Sequence, residues 1–103
     1  MKKIIDGKRY DTETADLIAS AESRHNHGDF KWWHETLYRT VEDQYFIAGE
    51  GHAMSRWAQA LDGNSRGAGS GLELLTDIEA LEWCERNDID ADVIAEHFAI
   101  EDA

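Results

Sequence analysis

Lys31 to Ala48 reads KWWHETLYRTVEDQYFIA, and this stretch decides the fold. Residues 31–40 are rich in aromatic and β-branched side chains, the composition of a strand. Residues 41–44 supply a turn and Gln44 to Ala48 a return strand, so the stretch predicts a β-hairpin. Gly49-Glu50-Gly51 is expected to end it. Upstream, Lys3 to Tyr10 predicts a smaller hairpin, because Asp6-Gly7 tolerates the positive φ angles of a tight turn between strand formers. Between the hairpins, Asp11 or Thr12 is expected to cap a short helix over 13–21. Ala15, Leu17, Ile18 and Ala21 give it a partial apolar stripe, and a polar loop over 22–29 follows.

Downstream, Met54, Trp57, Ala58 and Leu61 fall at i, i+3, i+4 and i+7, which favours a helix over 52–61, with a twisted third strand as the alternative. Residues 62–71 (DGNSRGAGSG) read as a flexible loop and Leu72 to Leu75 as a short strand. Thr76-Asp77-Ile78-Glu79 is a capping box, and predicts a helix to about Arg86 with Ile78, Leu81 and Cys84 turned inward. Asp90 is expected to cap a last helix over 91–99, with Ala91, Ile94, Ala95 and Phe98 inside. The whole is expected to be one domain, residues 1–103. Its class is α+β, an antiparallel sheet of hairpins with helices on one face or end, two of them C-terminal.

Charge is distributed unevenly over this frame. The net charge is −12, and residues 73–103 hold eleven acids against the single base Arg86, whereas residues 1–72 hold eleven acids and nine bases. A field of this kind attracts cationic surfaces and repels nucleic acid and anionic membranes. Several of these acids have local explanations. Asp77, Glu79, Asp90 and Asp92 lie in first helical turns, where the helix dipole favours them, and Glu82 with Arg86 is an ordinary i, i+4 pair. Asp92 and Glu96, however, are like charges at i, i+4, a spacing that costs roughly 0.2–0.5 kcal/mol, and Asp88 and Asp90 crowd the same corner. A partner lined with Lys and Arg would use that crowding. The residues expected to bind it are Glu79, Glu82, Glu85, Asp88, Asp92 and Glu96.

Other chemistries are weakly signalled. The single Cys84 forms no internal disulfide, and its acidic neighbours do not favour a thiolate. His25-x-His27 with Asp29 nearby allows a metal-binding module or a metal-dependent enzyme as an alternative, but the spacing is far from an H-x-x-x-H helix site and no metal or cofactor is expected. His97 near the end of the last helix suits the helix dipole. Ser55 and Ser70 stand in no nucleophile elbow, and the glycine-rich stretches at 49–51 and 67–71 lack a phosphate loop's Lys-Ser/Thr. An enzyme is therefore not expected. Trp32 and Trp33 point to opposite faces of a strand, so one indole can be core and the other an exposed contact anchor, with a core role for both as an equal alternative. No signal peptide or transmembrane segment is read from the start of the chain, and a cytoplasmic protein is expected.

Three stretches resemble a group of small phage and mobile-element proteins. They are Lys3-Ile4-Ile5-Asp6-Gly7-Lys8-Arg9-Tyr10-Asp11-Thr12-Glu13-Thr14-Ala15; Glu35 to Arg39 with Tyr45 to Ser55; and Leu75-Thr76 to Trp83. Where the group often has a second glycine after Glu-Gly, this chain has His52. Some members of the group are anti-CRISPR proteins. The resemblance implies a binding protein of a bacterial or archaeal host cell, and carries over no functional residue. It joins the charge reading in one expectation: a small acidic inhibitor whose carboxylates mimic phosphates on a basic protein surface such as a CRISPR–Cas effector. A homo-oligomeric mobile-element protein, paired through an exposed aromatic sheet face, is a further alternative.

Overall fold

The computed structural model describes residues 1–103, and the chain is α+β. The Asp-Gly hairpin forms as expected from β1 (Lys2–Ile5) and β2 (Lys8–Asp11), with Asp6 and Gly7 both at positive φ. The main sheet has four antiparallel strands in the order β3 (Asp16–Glu22), β4 (Trp33–Arg39), β5 (Tyr45–Gly51), β8 (Gly69–Leu75). A two-residue pair, β6 (Gln59–Ala60) with β7 (Arg66–Gly67), precedes β8. Two helices close the chain: α1 (Asp77–Arg86) and α2 (Ala91–His97).

Register assigns the side chains to two faces, since directly opposed residues in an antiparallel ladder point the same way. On one face, Leu37 opposes Ile47, and Tyr45 opposes Leu75. With Ile18 they form the larger core, roofed by Ala80, Trp83 and Cys84 of α1, while Val93 and Ile94 of α2 and its C-cap Phe98 pack at its edge. On the other face, Phe46 and Leu72 pack under Tyr10 of the small hairpin. The sheet is thus sandwiched between helices and a hairpin.

Several expectations need correction. Residues 16–22 are an edge strand, not a helix over 13–21. The cap was legible: the Asp11 carboxylate accepts from the Glu13 N–H at 2.9 Å, and the Ala15 N–H reaches the Asp11 carbonyl. That turn is not continued, because β3 instead gains a ladder along β4 from Asp16↔Arg39 to Glu22↔His34. A bulge between Leu17 and Ala19 breaks the two-residue alternation and leaves a spacing that imitates a helical stripe.

Residues 52–58 are successive turns rather than a helix, and only short strand β6 follows. Gly49-Glu50-Gly51 does not end β5, which runs through it. The 62–71 segment contains β7 and the first residues of β8. On α1 the inward residues are Ala80, Trp83 and Cys84, while Ile78 is 71% exposed instead of facing the core. The last helix stops at His97, with Phe98 extended, and its sheltered side chains are Val93, Ile94, His97 and Phe98; Ala91 and Ala95 are exposed.

Candidate functional site

The six carboxylates expected to bind a partner all lie on the C-terminal helical layer, and all are exposed. Glu79, Glu82 and Glu85 share the outer side of α1. At 100° per residue they span about a third of its circumference, opposite Ala80, Trp83 and Cys84, with Ile78 among them. Asp88 follows the C-cap Asn87 at a positive φ of 54°. Asp92 and Glu96 lie one turn apart on exposed positions of α2.

None of the six carboxylates has an ion-pair partner. The structure's ion pairs join Lys8 to Glu42, Arg39 to Asp43, Arg56 to Glu35 and Glu73, and, when protonated, His25 to Asp29. Arg86 therefore does not neutralise Glu82 as its spacing suggested. Glu79 alone has an internal task. Its carboxylate accepts from the Thr76 N–H at 2.9 Å while the Thr76 hydroxyl accepts from the Glu79 N–H at 3.2 Å, completing the capping box. The Thr76 backbone N–H, with the Thr76 side chain adding to it, holds the Glu79 carboxyl below the usual range.

Sequence reading missed a second arrangement, centred on Glu35. This residue sits mid-strand on the helix-covered face, only 5% exposed. Its Oε1 accepts from the Trp83 indole N–H at 2.8 Å; its Oε2 accepts from the Trp57 indole N–H at 2.8 Å and from Arg56 Nε at 2.8 Å. Arg56 Nη1 continues to Glu73 at 2.6 Å, and its guanidinium lies 4.5 Å from the centre of the Trp57 ring. Burial pushes the Glu35 carboxyl up, but the hydrogen bonds from Arg56, Trp83 and Trp57 together outweigh it and hold the group below its ordinary value.

The neighbouring strands make room for this. Glu35 opposes Gly49, which opposes Gly71, and a Cβ on Gly49 would overlap the Trp57 indole. The legible signal was a charged residue alternating onto the same face as two glycines. Both oxygens of Glu35 accept hydrogen bonds, which makes the cluster an internal tie between sheet, turn and helix.

The histidines assemble differently from a metal site. His25 Nδ1 stands 4.0 Å from Asp29, while His27 packs edge-on against Trp32 with ring centres 4.3 Å apart. His52 Nε2 meets the His27 carbonyl at 2.6 Å. No group of three or more His, Cys, Asp or Glu side chains converges as a ligand set. Trp32, just before β4, is buried with its indole donating to Glu22 at 2.8 Å, and Trp33 is half-buried. Burial, and then the charge of Glu85, push the Cys84 thiol up, in keeping with its place on the buried side of α1. Tyr10, Tyr45 and Phe46 are buried inside the two cores rather than displayed on an open sheet face. No helix is long and apolar enough to cross a membrane. No protein-family model, curated protein or solved structure matches the chain.

Proposed function

We propose that this protein is a binding inhibitor that docks its C-terminal helical layer on a cationic surface of another protein. The observation that carries the reading is the outer side of α1, where Glu82 and Glu85 flank the exposed Ile78 with no counter-cation. Glu79 adds its charge from within the cap, and Asp88, Asp92 and Glu96 extend the negative field onto α2. Carboxylates along a helix can stand in for the phosphates that a nucleic-acid channel accommodates. Ile78 supplies an apolar contact at the N-terminal end of this row, beside the charged groups that would surround it in an interface. Such a surface associates quickly and in a salt-sensitive way.

The resemblance to small phage and mobile-element proteins directs the choice of target to the nucleic-acid groove of a CRISPR–Cas effector inside a bacterial or archaeal host. The protein itself contacts no nucleic acid in this reading. The test is competition. Purified effector complexes of several types are incubated with fluorescent target DNA and increasing amounts of this protein. Displacement of DNA from one of them, reversed by raising salt, supports the proposal. Failure to bind any of them, with DNA retained throughout, overturns the effector assignment.

A further inference from the structure

A cleft with an excess of basic side chains opens beside the C-terminal end of α1. It lies between the 25–33 loop, the turn over 54–56 and the C-terminal end of α1, and encloses about 550 Å³. That is within the range of small-molecule sites, roughly 300–1,000 Å³. Lys31, Arg56 and Arg86 line it with His25, Trp33 and Met54, and Glu35 is the only carboxylate on its wall. Arg86 is the sole base among residues 73–103; it forms no ion pair, and it borders this cleft as well as a smaller one shared with Glu73, Glu79 and Glu82.

The charges are unequally free. Arg56 is committed to Glu35 and Glu73, and the Glu35 charge is further satisfied by the two indole N–H groups. Lys31 and Arg86 pair with no carboxylate. The last turn of α1 opposes an anion through its dipole. Its Trp83 carbonyl, however, already accepts from both the backbone N–H and the side-chain amide of Asn87. Solvation explains Lys31 alone and the helix dipole explains Arg86 alone, but neither explains their convergence beside a half-buried Trp33 and a 64% exposed Met54. An indole and a mobile thioether make a surface for a flat ring.

We propose that this cleft binds a small anion carrying a planar ring, with Lys31 and Arg86 holding its phosphate or carboxylate and Trp33 and Met54 covering the ring. The site is distinct from the outer acidic side of α1. Its test is titration of the protein with adenosine 5′-monophosphate, indole-3-acetate and adenosine, followed by amide and indole NMR shifts. Saturable shifts at Lys31, Trp33 and Arg86 are expected with at least one anion, with adenosine about tenfold weaker. A stronger response to the nucleotide assigns phosphate, and a stronger response to the indole acid assigns carboxylate. The K31Q/R86Q double variant should lose about tenfold in affinity for that anion, and R86Q alone about threefold. Both side chains are exposed and unpaired, so thermal unfolding should shift only slightly, by the loss of the Arg86 charge from the helix C-terminus. No shift at these residues with either anion at about 10 mM, or undiminished binding by both variants, overturns the proposal.

Discussion

Glu35 is a single side chain on which three separate segments converge. It joins β4 to the 52–58 turns through Trp57 and Arg56, and to α1 through Trp83. Replacing it by Gln keeps the shape but turns one oxygen into a donor facing other donors. E35Q is expected to lose about 2–4 kcal/mol in urea unfolding. The pH dependence follows from the lowered folded-state value. The stabilisation is fully present above the ordinary value of 4.5 and is lost as pH falls through the folded value. The gap between wild type and E35Q should therefore be constant near neutrality and narrow below about pH 4.5; a gap that widens on acidification would contradict it.

Gly49 is the matching backbone requirement. G49A pushes a methyl into the Trp57 ring and is expected to cost about 2–3 kcal/mol by thermal or urea unfolding, with a change in Trp fluorescence. At this scale the sequence was poorly legible. Glu35 stood among strand formers, Trp57 lay in a stretch whose spacing suited a helix, and the glycines read as turn residues. Only register brings the three together.

Elements were more legible where local rules are closed within a few residues. The Asp-Gly hairpin, the β4–β5 hairpin and the Thr76 capping box each formed where turn or cap chemistry placed them. T76A should therefore destabilise the protein by about 1 kcal/mol, measured by urea unfolding, and E79A should also destabilise it by removing the reciprocal bond to the Thr76 N–H. Elements failed where a distant ladder won. The Asp11 turn stops after one turn because β4 offers seven residues of strand a partner, and the bulge at Leu17/Ala19 disguises that strand as a helix. The α1 capping box also fixes the rotation of the helix, yet Ile78 faces water. Its position one residue into the first turn lies opposite Ala80, Trp83 and Cys84, which were the stronger apolar stripe once Trp83 was counted.

At the scale of the whole molecule, charge and fold are separate layers. The interior uses two committed carboxylates, Glu35 and Asp11, and the surplus is carried outside on the helices. The class, α+β with two C-terminal helices on one side of an antiparallel sheet, was legible because hairpin signals and helix caps alternate along the chain in that order. Partner chemistry was legible only as a direction of charge. Structure adds the observation that Glu82, Glu85, Asp92 and Glu96 stand exposed and unpaired.

These four can be reversed without touching the cap or the core. The decisive measurement is the association rate of wild type and E82K/E85K/D92K/E96K with the effector that survives the competition test, across a salt series. Wild type should associate fast at low salt and slow steeply as salt rises. The variant, folded by circular dichroism, should associate at least about tenfold more slowly at low salt and lose most of that salt dependence. Equal rates and equal salt slopes for the two proteins would contradict a docking surface on the C-terminal helices.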